Sequence, residues 1–431
     1  MVAHLTVLRI MTAYPLPDYS DAVCSALEML RNQRIYIETY GCRFNFGDTA
    51  KLGEVLKWQG NVLVDSADGA DVVLINTCTV VGPTERKMLR RLAFYSNRTL
   101  YVTGCMPAVQ RDAIFSVCTP VILTHEMIEH AYRNVCTVAV NGSPGIVQIA
   151  SGCVGHCRYC ITRNARGPLK SYPLDEICTQ VRAYVSAGAA EIQLTAQDVS
   201  AWGRDIGLFL PELIESVCEL PGTFRIRVGM MNPVTVIDIL DDLVGVFSDE
   251  KVFGFIHAPV QSGSDRVLES MGRDYRSEDF ETIVAAFRRS NPRISVATDI
   301  IVGYPGETED DFQLTRNLIT RIRPNKVNIT RYSRRPFTGT SPGEEIPDSV
   351  KKGRSRNLNA LAEQICSGVN QPLLGTVTPF VVTESVRRGS VMARNPEYLG
   401  IVIKENLPLG FEGTASLMSD RIYYFTGKRI V

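Results

Sequence analysis

Ser151-Gly152-Cys153-Val154-Gly155-His156-Cys157-Arg158-Tyr159-Cys160 sets three cysteines at CxxxCxxC spacing. The run follows Ile146–Ala150, a short β-rich stretch, so the thiols are expected on a loop that leaves a strand. Three close thiolates suit a 4Fe–4S cluster with one iron left free of protein. A structural zinc site wants four closed ligands. A zinc-stabilised loop and three core thiols are the competing readings. His156 sits between Gly155 and Cys157, where facing the same metal is awkward.

Working outward, strand-like runs recur at Glu191–Thr195, Phe224–Val228, Phe253–Ala258, Val296–Val302 and Lys326–Thr330. Helical stretches separate them; in one, Leu174, Ile177, Val181 and Val185 fall at helical spacing. Six such units predict a full or partial (β/α)6 barrel over about 141–371. Two strand ends carry possible ligand-binding turns. Thr298–Glu307 ends in Gly303-Tyr304-Pro305-Gly306, and Ala258–Asp265 contains Gln261. Taken alone, the first is better explained as an ordinary strand-to-helix turn, and the second is open to reading as a capped helix.

Upstream, residues 34–140 show the same alternation on a smaller scale and predict a small parallel α/β sheet. Its strands read as Ile35–Glu38, Val72–Ile75 and Leu100–Val102, and its helices as Thr49–Trp58 and Thr84–Phe94. Each strand runs into a cysteine: Gly41-Cys42, Thr77-Cys78 and Gly104-Cys105. The C-terminal ends of parallel strands share one edge, so these thiols can meet there without a linear motif. Three buried core cysteines are the plainer alternative. Cys24, Cys118, Cys136, Cys178, Cys218 and Cys366 have no partner at ligand spacing and read as bystanders.

Downstream, 372–431 holds the β-rich runs Thr376–Thr383, Gly400–Ile403 and Ile422–Phe425 with glycines between them, which predicts a small antiparallel β-barrel. Arg387, Arg388, Arg394, Lys404, Lys428 and Arg429 outnumber the acidic residues there. The preceding stretch Arg321–Arg356 is basic and broken by Pro336, Pro342 and Pro347, so much of it reads as loop. Arg331, Arg334 and Arg335 extend a candidate phosphate-binding strip. Tyr398 and Phe411 are available to stack on bases, but core filling is the stronger reading of both.

Bulk composition agrees with this. The 431 residues are 45% hydrophobic, enough for several cores, and 46 Lys+Arg balance 46 Asp+Glu. No global field draws nucleic acid, so any RNA must meet a local patch. No apolar run approaches the roughly 20 residues of a membrane span. The segment 1–33 lacks a charged n-region and a small-residue cleavage site and stays unassigned; the protein is expected in the cytoplasm, with no membrane partner.

CxxxCxxC after the first strand of a six-unit barrel resembles the radical S-adenosylmethionine superfamily. Two three-cysteine sets together resemble its methylthiotransferases. The motifs are Glu38-Thr39-Tyr40-Gly41-Cys42 with Asn45, Asn76-Thr77-Cys78, Thr103-Gly104-Cys105-Met106-Pro107, Gly152 through Arg166-Gly167, and Gly229-Met230-Met231-Asn232-Pro233. The resemblance implies two 4Fe–4S clusters, one on Cys153, Cys157 and Cys160 and one on Cys42, Cys78 and Cys105. It also implies S-adenosyl-L-methionine contacts from Tyr159, Gln197, Gln261, Gly303 and Pro305. In such enzymes a 5′-deoxyadenosyl radical takes hydrogen from the substrate, and the auxiliary cluster holds the sulfur to be inserted. No side chain is assigned as a catalytic acid or base. An electron donor and a sulfur source are implied partners. The tail resembles a TRAM domain, which is associated with RNA. Thr162-Arg163-Asn164-Ala165-Arg166-Gly167 resembles the archaeal and eukaryotic branch, which implies N6-threonylcarbamoyladenosine at position 37 of tRNA as substrate. Isopentenyl-type adenosine, a ribosomal-protein aspartate and a non-catalytic iron–sulfur RNA-binding role are the alternatives. Ala196 and Phe337 stand where the family usually has glycine.

Overall fold

The computed structural model describes residues 26–133, 135, 144–340 and 345–430. Cys24, Cys136, Pro342 and most of 1–33 lie outside the described residues.

The first unit is a parallel sheet of β1 (Arg34–Thr39), β2 (Val62–Val64), β3 (Val72–Thr77), β4 (Leu100–Gly104) and β5 (Val121–Ile122), in the order β2-β1-β3-β4-β5. Central β3 is buried throughout because both faces are covered. Side chains alternate between faces. Val72 and Leu74 therefore join one core, with Leu52 and Leu56 of the helix Arg43–Trp58. Val73 and Ile75 join the other, with Met88 and Leu92 of the helix Gly82–Phe94. The edge strands β2 and β5 are too short to stand out in the sequence.

The second unit begins with β6 (Gly145–Gln148), then the small antiparallel pair β7 (Ala150–Ser151) and β8 (Lys170–Ser171). The strands β9 (Glu191–Thr195), β10 (Arg225–Val228), β11 (Phe255–His257), β12 (Ser295–Val302) and β13 (Lys326–Arg331) follow. β6, β9 and β10 pair in parallel, as do β11, β12 and β13. Single parallel bridges, Ile226–Val252 and Met230–His257, join the two sets. The result is an open (β/α)6 arc edged by β6 and β13. Ile192, Leu194, Ile226, Val228, Val296 and Ile300 pack outward under the helices in the largest core. The alternate positions Gln193, Arg227, His257, Asp299 and Asn328 fall on the opposite face, so the lumen is polar.

The third unit is a closed barrel of β14 (Val377–Arg387), β15 (Ser390–Arg394), β16 (Gly400–Ile403), β17 (Glu412–Asp420) and β18 (Phe425–Ile430). Its ladders are antiparallel except β16–β18. The strand expected at Ile422–Phe425 is a correction. Ile422 has φ 69°, and Arg421 N–H donates to the Tyr424 carbonyl at 2.9 Å. Residues 422–424 are therefore the turn between β17 and β18, with Phe425 opening β18, and the aromatic residues of the turn imitate a strand.

The basic stretch also differs from expectation. Asp348–Asn370 is one helix whose Leu358, Ala362 and Ile365 form a buried stripe. Lys351 and Arg354 are buried rather than presented to solvent. Arg335 is buried as well and pairs with Glu85, which removes it from the expected phosphate strip. Among the described residues no helix is long and apolar enough to cross a membrane.

Candidate metal centre

Cys42, Cys78 and Cys105 come together at the C-terminal edge of the first sheet, where the order turns at β1 and β3. Gly41 carries φ 109°, and a Cβ there would lie 3.1 Å from Cys78 Sγ. A side chain at 41 would therefore intrude on the thiol group. Asn45 ties the edge together: its Nδ2 donates to the Tyr40 carbonyl at 2.8 Å and to the Thr77 carbonyl at 2.9 Å. Its Oδ1 lies 3.7 Å from Cys105 Sγ. Cys78 and Cys105 are buried, and Cys42 is exposed. Burial pushes the Cys105 thiol up to about 12.

The second thiol group lies just past β7. Gly155 N–H donates to Cys153 Sγ at 3.2 Å, and Arg273 Nη1 donates to Cys157 Sγ at 3.0 Å. Arg273 is itself held by Tyr275 Oη at 2.9 Å and the Pro259 carbonyl at 3.2 Å. A Cβ at Gly155 would meet both Cys153 Sγ and Cys157 Sγ, so the loop wraps a common centre. His156 turns away and stands 3.1 Å from Asp274, largely exposed.

The donor chemistry fits clusters better than single ions. A tetrahedral Zn–S distance of about 2.3 Å keeps ligand sulfurs within about 4 Å of each other. Among the described residues, the group of His, Cys, Asp and Glu whose ligand atoms all fall within 4.8 Å is Asp48, His125 and Glu129, not either thiol group. That carboxylate group is already neutralised by Arg166 and Lys51, so a further cation there is disfavoured.

Arg166 links the segment after the CxxxCxxC loop to the sheet edge that carries Cys42, Cys78 and Cys105. It closes the short helix Thr162–Arg166 after the CxxxCxxC loop. Its Nη2 crosses to Asp48 Oδ2 at 2.7 Å and Asn45 Oδ1 at 2.9 Å, while Nε and Nη1 are buried without a partner. Its side chain is 2% exposed, and its charge favours the thiolates of Cys105 and Cys78. Burial pushes the Asp48 carboxyl up, but Arg166, His125 and Gln148 outweigh it and hold it well below the usual carboxylate range.

The expected cofactor contacts divide. Gln197 Oε1 and Asn232 Oδ1 are buried without partners, as acceptors awaiting a polar ligand are. Between them Asp198 is 2% exposed and accepts from Asn232 N at 3.0 Å, Ser200 and Thr235. Tyr159 packs edge-on to Tyr304 with ring centroids 6.4 Å apart. Gln261 adopts φ 69° opposite β12. Gly303 adopts φ 73°, and a Cβ there would meet the Lys351 side chain; Pro305 follows in the same turn. Arg273 and Asp198 carry no motif of their own. Arg166 ends one, but its reach across to Asp48 leaves no local sequence signal.

Comparisons with known proteins agree with this architecture. The Radical SAM superfamily model matches residues 147–319, and the model of an uncharacterized protein family, UPF0004, matches 34–123. A probable threonylcarbamoyladenosine tRNA methylthiotransferase of Pyrococcus horikoshii is 39% identical over 398 residues, covering 86% of this chain and 94% of that protein. A threonylcarbamoyladenosine tRNA methylthiotransferase of Danio rerio is 32% identical over 414 residues, covering 86% and 76%. Among solved structures, the radical S-adenosylmethionine methyltransferase TsrM of Kitasatospora setae, with cobalamin and a 4Fe–4S cluster bound, aligns with a TM-score of 0.51 at 12% identity. That alignment covers 71% of this chain and 76% of that one, and it speaks to fold alone.

Proposed function

Since this chain belongs to the threonylcarbamoyladenosine tRNA methylthiotransferases, we propose that it converts N6-threonylcarbamoyladenosine at position 37 of tRNA to its 2-methylthio derivative. The observation that carries this reading is a second set of three cysteines, Cys42, Cys78 and Cys105, on a sheet edge tied by the Arg166–Asp48 ion pair to the segment that follows the CxxxCxxC loop. One group alone would fit many radical enzymes; a second beside it fits sulfur insertion.

In this reading Cys153, Cys157 and Cys160 hold one 4Fe–4S cluster, and Cys42, Cys78 and Cys105 hold another. When bound, the clusters and S-adenosylmethionine supply the radical that removes hydrogen from adenine C2 and the sulfur that replaces it. The chain's own residues bind and orient. Arg273 steadies Cys157 by donating to its sulfur. Gln197 and Asn232 offer unmet acceptors beside the loop. Asn45 and Arg166 hold the two sites in register. The division at 34–140, 141–371 and 372–431 follows these roles, with 1–33 unassigned, and the last unit acts as a TRAM-type RNA-binding barrel. An electron donor and a sulfur source complete the reaction, which takes place in the cytoplasm with tRNA.

Mass spectrometry of tRNA nucleosides from a deletion strain tests this. Loss of the 2-methylthio-threonylcarbamoyl nucleoside alone is expected. Loss of an isopentenyl-type nucleoside instead, or no change, would reject it. In vitro, Cys157→Ala should abolish reductive cleavage of S-adenosylmethionine, and Cys78→Ala should stop thiolation while leaving some cleavage.

A further inference from the structure

The lumen of the central arc contains a positive charge that meets two aromatic rings but has no hydrogen-bond or ion-pair partner among the described residues. Arg227 alternates with buried Ile226 and Val228 on β10, so it faces inward. Its neighbour across the ladder is Gln193. Its guanidinium stands 5.4 Å from the Phe255 ring centroid and 5.8 Å from that of Tyr398. Among the described residues it forms no hydrogen bond and no ion pair.

The surroundings are positive on balance. Arg43 follows Cys42 and Lys326 starts β13, and both add to the field at Arg227. Lys326 also lacks a hydrogen bond or ion pair among the described residues. Arg394 approaches the Tyr398 ring from 4.5 Å but is paired with Glu384 at 3.4 Å. Two carboxylates are near; each accepts hydrogen bonds through one oxygen, and Glu191 Oε2 has no partner yet makes no ion pair with Arg227. Glu191 accepts from Tyr398 Oη at 2.7 Å and Gln193 Nε2 at 2.6 Å, and Asp299 lies 3.1 Å from His257 and accepts from Asn328 at 2.7 Å. Burial holds the Arg227 pKa below its ordinary value, opposed by Tyr398 and Glu191 and reinforced by Arg43 and Arg394.

A partly buried guanidinium among like charges is costly unless an anion joins it. The N6 substituent of the proposed nucleoside ends in a carboxylate, and an unmodified or isopentenyl adenosine lacks that charge. We propose that Arg227, supported by Lys326, is an oxyanion subsite in the lumen that binds the carboxylate of the N6 substituent and so selects the target nucleoside. This rests on the substrate reading above and extends it to a residue. A tRNA phosphate is the other source of the same chemistry. The lumen favours the carboxylate, because a base can be turned into it while the backbone stays outside.

The test is binding of reconstituted enzyme to two anticodon stem–loop RNAs, one bearing the threonylcarbamoyl group at the target adenosine and one unmodified, read by fluorescence anisotropy. Arg227→Gln should weaken binding of the modified RNA about ten-fold or more, as loss of a charge-assisted hydrogen bond does, and leave the unmodified RNA unchanged. Arg227→Lys should recover part of the loss. Weakening of both RNAs alike, at full iron content, would assign the site to phosphate and overturn the proposal; so would no effect on either. If Arg227→Gln loses its iron, Lys326→Met is read in the same way. Wild-type enzyme that fails to thiolate the modified RNA at all would refute the substrate reading itself, an outcome visible before any variant is made.

Discussion

Arg166 Nη2 lies 2.7 Å from Asp48 Oδ2, and both side chains are almost fully buried. One residue ends the helix that follows the CxxxCxxC loop and the other lies in the helix that follows Cys42, so this ion pair ties together the two segments that carry the thiol groups. Replacing one partner leaves the other charged and uncompensated, which costs about 3–5 kcal/mol in a buried setting. Asp48→Asn and Arg166→Met are each expected to lower the melting temperature and to reduce iron retention. Iron and sulfide counted per chain after anaerobic reconstitution should fall toward half, since the sheet-edge site depends on both residues. Full iron content in either variant would separate the ion pair from cluster binding.

Arg273 makes a different contribution. Its Nη1 donates to Cys157 Sγ at 3.0 Å, and hydrogen bonds to ligand sulfur raise a cluster's potential. Arg273→Met removes that donor without touching a thiol. A charge-assisted bond of about 1.5 kcal/mol corresponds to a drop of roughly 60 mV for a one-electron couple. Potentiometric titration followed by electron paramagnetic resonance, in a variant lacking Cys42, Cys78 and Cys105, reads this value directly. An unchanged potential would mean that Arg273 serves only to pack the loop.

Acid sensitivity should come in part from Asp311. This residue closes the capping box of the helix Glu309–Ile322 and accepts from Ser264 Oγ at 2.6 Å and from Arg266. Burial pushes its carboxyl up, but the bonds from Arg266, Ser264 and Thr308 prevail and hold it well below the ordinary range. Its stabilising contribution is therefore full above the unfolded value near pH 4 and is lost as pH falls through the lower native value. Asp311→Asn should cost about 1–2 kcal/mol at neutral pH. Its denaturation midpoint should also respond less to acid than the wild type's, compared in urea at pH 7 and about pH 2.5, inside the window where the wild-type contribution is being lost.

How much of this was legible follows from the range of the interactions involved. Glu191–Thr195 and Gly400–Ile403 match their strands end to end because β-branched and other apolar runs bounded by turns are local signals. The six cysteines were legible for the same reason, each lying just past a readable strand or within one short motif. Asp348–Asn370 was hidden because its charges mask a thin apolar stripe at Leu358, Ala362 and Ile365. Arg335 read as a surface cation because its partner Glu85 lies far away in sequence. Arg166, Arg273 and Asp198 share that property: each acts on a group that only the tertiary fold brings near.

The C-terminal barrel has a structural duty that its basic residues do not announce. Tyr398 adopts φ 63° and sends its hydroxyl to Glu191 Oε1 at 2.7 Å, while its ring packs on Phe253 and Phe255 with centroids 4.9 and 5.1 Å away. A loop of the last unit thus closes the base of the central arc, helped by Gly254 N–H donating to the Pro396 carbonyl at 2.8 Å. Glu191 Oε2 already lacks a partner, so Tyr398→Phe would leave the carboxylate with Gln193 alone. An unsatisfied buried group costs about 1–3 kcal/mol. Tyr398→Phe should lower stability by that amount while preserving the aromatic packing. Deleting residues beyond Leu373 should expose the Phe253–Phe255 face and destabilise the arc itself, not merely weaken RNA binding. Limited proteolysis checks this: new cleavage within 225–260 is expected in the truncated chain, and a protease-resistant arc that still retains full iron would show the last barrel to be a detachable unit.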